Sequence, residues 1–172
     1  SAAAMALAAI LSAPAFADPD AALAKLQETV LSKGPSGEDP SPASSVVLTD
    51  DELAKIKSMG ATAAIVMHYG GNDWSRAQIN GLQTQFAAMG IKVIAVTDAG
   101  FKPEKQVSDL ETIMAQSPNI IVSIPTDPTA TAAAYRAAAE AGAKLVFMDN
   151  VPAGFVPGTD YVSVVSADNY GN

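Results

Sequence analysis

The chain of 172 residues contains no cysteine. Disulfides, thiolate metal sites and a cysteine nucleophile are thereby excluded. Histidine occurs once, as His68, so no His-x-x-x-His metal pair exists. Basic residues are scarce: ten Lys and Arg stand against eighteen Asp and Glu, a formal net charge of −8. A surface of that sign repels a phosphate backbone and argues against a nucleic-acid partner. Glycine motifs that cradle phosphates are missing too, with neither G-x-G-x-x-G nor a Walker lysine, so no nucleotide cofactor is expected. A G-x-S-x-G nucleophile elbow is likewise absent. No apolar run is long enough to span a bilayer. What remains is 49% apolar and 16% charged, the composition of a globular domain.

An apolar stretch with no charge, Ala2 to Leu11, leads into Ser12-Ala13-Pro14-Ala15-Phe16-Ala17. Ala15 and Ala17 match the A-x-A pattern of a secretory cleavage site. Residues 1–17 therefore read as a partial signal peptide whose basic start lies upstream, the alternative being an ordinary Ala-rich helix. No lipid-acceptor cysteine follows, so the mature protein is expected to be released, in a bacterial periplasm. Residues 18–60 read as an arm. Asp20 to Ser32 has helical spacing, Gly34 to Pro42 has the composition of a linker, and Thr49-Asp50-Asp51-Glu52 has the form of a capping box that starts a helix ended by Gly60.

From Ala61 onward, apolar runs alternate with helical patterns. Strands are expected at Thr62 to Met67, Lys92 to Val96, Asn119 to Ile124, Lys144 to Met148 and Tyr161 to Val165. Helices are expected at Ser75 to Met89, Pro103 to Gln116 and Pro128 to Ala141. Continuous apolar strands alternating with helices predict an α/β fold built on a doubly wound parallel sheet. The sequence stops just after the fifth strand, which would leave part of one sheet face uncovered, and the chain therefore reads as a fragment.

Each strand runs directly into a polar, turn-forming cluster. In open parallel sheets the ligand sits outside the carboxyl ends of the strands, so these clusters mark the site. The first is His68-Tyr69-Gly70-Gly71-Asn72-Asp73-Trp74. In it Gly70-Gly71 allows close backbone approach, and His68, Tyr69, Asn72, Asp73 and Trp74 are candidates to face a ligand. The plain alternative for part of this loop is a turn with an N-cap at Asp73. The other strand ends supply Asp98, Asp127, Asp149, Asn150, Asp168 and Asn169. Such residues cap helices and form Asx turns, but carboxylates also grip adjacent hydroxyls strongly. Tyr69, Trp74, Phe101 and Phe155 would suit the apolar face of a sugar ring. A catalytic reading would pair His68 with Asp149 or Asp127 and a serine such as Ser123. A metal reading lacks supporting ligand spacing.

The ordered set of these features resembles the sugar-type, ribose-binding-like periplasmic binding proteins of ABC importers. The resemblance covers Ala61 to Asn172. It rests on the aromatic- and Asn-containing loop after strand one, on Val107-Ser108-Asp109-Leu110-Glu111, and on Ile120 to Asp127. It rests also on Ala141-Gly142-Ala143-Lys144, on Asp149, and on Val162 to Gly171. It implies the first lobe of a type I periplasmic-binding-protein fold with an N-terminal helical extension, the second lobe lying outside this sequence. It implies a non-catalytic receptor that closes by a hinge on a sugar or polyol, with no cofactor. An inner-membrane permease is the implied partner, and a chemoreceptor is compatible. Its ligand loops fall on His68 to Trp74, on Thr126 and Asp127, and on Asp149 and Asn150. Many sugar binders carry Asp-Arg where this chain has Asp149-Asn150. Two other classes remain open: a small-molecule enzyme on the same sheet, and a repressor-type sensing domain, which would need a basic helix-turn-helix ahead of the first strand.

Overall fold

The structure, a computed structural model, describes residues 18–28 and 33–165. The expected signal segment, residues 29–32 of the first helix, and Asp168 and Asn169 lie outside the described residues. The chain divides into two compact units, Ser1–Val30 and Leu31–Asn172. In the first, α1 (Pro19–Glu28) begins where Asp18 Oδ1 accepts the Asp20 N–H at 3.0 Å. Among the described residues no helix is long and apolar enough to cross a membrane.

The second unit opens with the linker, a 3₁₀ turn (Ala43–Val46) and α2 (Asp50–Ser58). The capping box is reciprocal: Thr49 Oγ1 accepts the Glu52 N–H, and the Glu52 carboxylate accepts the Thr49 N–H at 2.8 Å. Those bonds hold the exposed Glu52 carboxyl below its ordinary pKa. Ile56 of α2 packs on the same apolar cluster as the sheet, which joins α2 to this unit.

The sheet is formed by β1 (Thr62–Met67), β2 (Lys92–Asp98), β3 (Ile120–Ser123), β4 (Lys144–Met148) and β5 (Ser163–Val165). Its order is β2-β1-β3-β4-β5, and every pairing is parallel. The intervening helices are α3 (Asp73–Ala88), α4 (Pro103–Met114) and α5 (Ala132–Glu140). This is the doubly wound α/β sheet that the strand and helix alternation predicts.

The run Ala63 to Met67 is wholly buried because both sheet faces are covered. Ala63, Ile65 and Met67 belong to the cluster that contains Phe86, with Ile79 and Leu82 of α3 packed against it. Ala64 and Val66 join Leu110 and Ile113 of α4 with Tyr135 and Ala138 of α5. Side chains alternate between these two cores with the period of the strand.

Among the element ends that differ from the sequence expectation, four have a clear local reason. α3 starts at Asp73 because Asn72, not Asp73, is its N-cap, with Asn72 Oδ1 accepting the Ser75 N–H at 2.8 Å. α5 starts at Ala132 rather than Pro128. Asp127 Oδ1 accepts the N–H groups of Thr129 and Ala130, and Thr131 Oγ1 donates to the Asp127 carbonyl, so the chain first makes a turn. β5 starts at Ser163 because Tyr161 bridges back to Pro157 instead of joining the ladder. β2 continues to Asp98, where its register partner is Met67 at the end of β1.

Candidate functional site

Register brings the strand ends into line. Met67 pairs with Asp98, Val66 with Ser123, Ser123 with Phe147, and Met148 with Val165. The residues that follow these pairs therefore share one edge. The chain leaves β1 for β2 on one side and crosses to β3 on the other, so the strand order reverses beside β1, where open sheets place their ligands.

The loop after β1 carries an aromatic group. Phe101, on the loop after β2, is tied to it by its N–H donating to the His68 carbonyl at 2.8 Å. The Tyr69 and Phe101 rings are stacked, with centroids 4.8 Å apart. His68 meets Phe101 edge-on at 5.0 Å and Trp74 edge-on at 6.4 Å. Trp74 and Phe101 are 52% and 58% exposed, so these faces are presented rather than spent on the core. Phe155 is not part of this group. It is buried, edge-on to Phe147 at 6.0 Å and beneath the Arg136 guanidinium at 4.6 Å, so the expectation that it would serve a sugar ring is corrected.

Asp73 lies in the first turn of α3 and pairs with Arg76, which also donates to the Gly71 carbonyl at 3.1 Å. Asp98 uses Oδ1 to accept the Gly100 N–H at 2.8 Å, an Asx turn like that of Asp127. Asp149 has φ +69°, an uncommon conformation for a residue with a side chain, and the Asn150 N–H folds back to the Met148 carbonyl at 2.8 Å. Such local strain gathers at ligand clamps.

Several polar atoms at this edge have no partner. His68 Nδ1, Thr126 Oγ1 and Asn150 Oδ1 are each shielded from solvent and unbonded among the described residues. Ser75 Oγ, in the first turn of α3, and Thr97 Oγ1, one residue from the end of β2, are in the same condition. A shielded polar atom left unsatisfied costs about 1–3 kcal/mol, so native structures rarely keep several together without a purpose. Desolvation depresses the His68 pKa below its ordinary value, with Asp149 and Asp98 pulling the other way. The imidazole is therefore favoured in its neutral form, with one ring nitrogen able to accept.

The catalytic arrangement does not form. Ser123 is buried, and its hydroxyl proton is spent on the Val66 carbonyl at 2.7 Å, while Tyr135 Oη lies 2.5 Å from Ser123 Oγ. Since Ser123 donates to Val66, Tyr135 is the donor of that second bond. Among the described residues no group of three acidic, His or Cys side chains could hold a metal. Two open grooves among the described residues lie away from the strand ends. One is an apolar groove of about 380 Å³ between α4 and α5, and another is formed by residues 46–48 with Leu53 and Met89.

One residue at this edge escaped the sequence reading. Gln106 of α4 is fully buried, and its amide bonds the Ile124 carbonyl at 2.9 Å and the Thr126 N–H at 2.7 Å. The available signal was a polar residue at the i, i+4, i+7 spacing of Leu110 and Ile113.

The family profile described as "Periplasmic binding protein domain" matches residues 63–172. This chain belongs to the periplasmic binding protein family. The five-stranded parallel sheet with its flanking helices is a type I lobe of that family. Among solved structures, the chain is similar to the Caulobacter myo-inositol binding protein, bound to myo-inositol. Identity there is 27% and the TM-score 0.56, over 64% of this chain and 36% of that one. It is similar to an ABC transporter solute binding protein from Agrobacterium vitis bound with α-D-tagatopyranose, at 24% identity and TM-score 0.56, over 63% and 39%. A carbohydrate transporter solute binding protein from Agrobacterium radiobacter, in complex with D-arabinose, gives 22% and 0.56, over 63% and 36%. The match with this chain thus covers less than two fifths of the length of these proteins. No curated protein sequence matches the chain.

Proposed function

We propose that this chain is the first lobe of a two-lobed solute-binding component of an ABC importer. It holds a sugar or similar polyhydroxylated small molecule between its lobes and closes by a hinge. The observation that carries the reading is that the loops after β1, β3 and β4 each hold an unsatisfied, shielded atom, His68 Nδ1, Thr126 Oγ1 and Asn150 Oδ1, while the loops after β1 and β2 hold the stacked Tyr69 and Phe101 rings. A polyol offers hydroxyls that donate and accept for the first set, and an apolar C–H face for the second. Tyr69, Asn72, Asp73, Trp74, Asp127 and Asp149 complete the proposed contact set. The sugar-bound state of the similar solved proteins supports this choice of ligand.

In this reading the ligand is carried and not turned over, which accords with a Ser123 whose proton is already committed. Residues 1–17 serve as part of a cleaved signal peptide, 18–60 as a helical arm and linker, and 61–172 as the ligand-binding lobe. The protein works in the periplasm, hands its cargo to an inner-membrane permease, and is able to signal through a chemoreceptor. Asn150 is neutral, so the cargo is read there by an amide rather than by a cation.

Calorimetric titration of the intact, signal-free protein with D-tagatose, D-arabinose and myo-inositol tests the reading. Asn150→Leu and Thr126→Val should each weaken the bound member up to tenfold, since a lost hydrogen bond is worth about 0.5–1.5 kcal/mol. Unchanged affinity in both variants would remove these atoms from the site.

A further inference from the structure

Two residues beyond the end of β3 stands Pro125. Ile124 still donates its N–H to the Val66 carbonyl of β1 at 3.2 Å, but Pro125 has no N–H to continue the ladder. On the other side of that proline two main-chain groups need partners, the Ile124 carbonyl and the Thr126 N–H. One side chain satisfies both. Gln106 Nε2 donates to Ile124 O at 2.9 Å, and Gln106 Oε1 accepts from Thr126 N at 2.7 Å. The amide thus stands in for a neighbouring strand across one residue, and it does so from inside the α4 packing at 0% exposure. Immediately beyond, Thr126 holds its unsatisfied Oγ1 at the site edge, and Asp127 organises the turn into α5.

We infer that Gln106 is a positioning residue for ligand binding: it fixes the main chain on both sides of Pro125 so that the Thr126 hydroxyl meets the ligand without a reorganisation cost. The inference rests on the solute-binding reading above. Gln106 does not touch the ligand. It acts through Thr126, and its amide geometry, one donor and one acceptor on a single planar group, is what the two opposed main-chain groups demand. An apolar residue of the same length would fill the volume and leave both main-chain groups shielded and unpaired.

The test compares Gln106→Met with Leu110→Ala in the intact protein. Leu110 lies one helical turn along the same buried face and has no bond to the loop. Three quantities are measured: the urea midpoint, the exchange rate of the Thr126 amide by NMR, and affinity for D-tagatose, D-arabinose and myo-inositol. In Gln106→Met the Thr126 amide should exchange at least tenfold faster while the amides of β1 stay protected, and affinity should fall about tenfold or more. Leu110→Ala should lower the urea midpoint and leave Thr126 exchange and affinity near the wild-type values. If Gln106→Met fails to fold, Gln106→Glu keeps the size and the acceptor for Thr126 and loses the donor to Ile124. It should keep Thr126 protected and bind more weakly than wild type. Equal Thr126 exchange in wild type and Gln106→Met, or equal affinity, would overturn the inference. If wild type binds none of the three probes, the solute-binding reading fails, and the Thr126 exchange rate alone decides whether Gln106 fixes the loop.

Discussion

The Tyr69 ring lies over the Phe101 ring, their centroids 4.8 Å apart and their planes inclined by only 12°. The two residues come from loops after different strands, and the bond from Phe101 N–H to the His68 carbonyl holds those loops together. The pair is half-buried at Tyr69 and exposed at Phe101, so it leaves a ring face for a ligand with an apolar face of its own. Phe101→Ala should therefore weaken sugar binding several-fold. It should also lower the urea midpoint by the equivalent of about 0.5–1.5 kcal/mol, the worth of the aromatic pair it breaks. Parallel titration calorimetry and urea melts read both numbers.

Gly71 sits beneath the Tyr69 hydroxyl. A Cβ at that position would overlap that oxygen, the movable end of a side chain. Gly71→Ala should push the phenol aside, break the stack with Phe101 and weaken ligand binding. The α3 cap at Asn72 should survive, so thermal stability should change little. A crystal structure of the variant with Tyr69 unmoved and binding intact would contradict this.

His68 is the sole histidine of the chain, so its ring protons give one unambiguous NMR titration. Burial depresses its pKa below the ordinary 6.5, against the pull of Asp149 and Asp98. The sign follows. Between the folded and unfolded pKa values the unfolded chain binds more protons, so stability is fully present above pH 6.5 and declines as pH falls through the depressed folded value. His68→Gln should flatten that part of the pH–stability profile. A midpoint at or above 6.5 in the native protein would contradict the assignment.

Ser123 and Tyr135 form a buried relay to the Val66 carbonyl. Burial drives the Tyr135 phenol pKa well upward, so it stays a donor. Tyr135→Phe removes one bond and should cost about 0.5–1.5 kcal/mol. Ser123→Ala leaves the Tyr135 hydroxyl buried without an acceptor and should cost more, about 1–3 kcal/mol. Neither should alter ligand affinity, in contrast to a catalytic Ser123. Denaturant melts with calorimetry separate the two effects.

The sheet was legible because its signal is redundant. Thr62–Met67 and Lys144–Met148 have the predicted bounds, since a doubly covered strand must be apolar throughout. The capping box at Thr49 was equally plain, because its two bonds depend on residues three apart. Other ends depended on side chains that choose between local partners. Asn72 took the cap from Asp73, whose carboxylate went to Arg76, and Asp127 with Thr131 delayed α5. At the proposed site, strand-end position pointed to Asp149 and Asn150, and Thr126 came from the resemblance to the sugar-type binding proteins. Position could not separate Phe101 from Phe155, because which aromatic is presented depends on loop folding after the strand. Gln106 was hidden for a related reason: its partners are main-chain groups eighteen and twenty residues away, and no sequence spacing encodes such a pairing.

A thermal-shift screen of the intact, signal-free protein shows whether the proposed strand-end site takes a polyol. Pentoses, hexoses, inositols and other polyols, and nucleosides form the panel. A ligand present at about 100 times its Kd adds about 2.7 kcal/mol of stability, an unmistakable rise in the melting temperature. The account predicts such a rise for one class of sugars or polyols, reduced by Phe101→Ala and by Asn150→Leu. No shift with any sugar or polyol, or a shift that both substitutions leave intact, would contradict it.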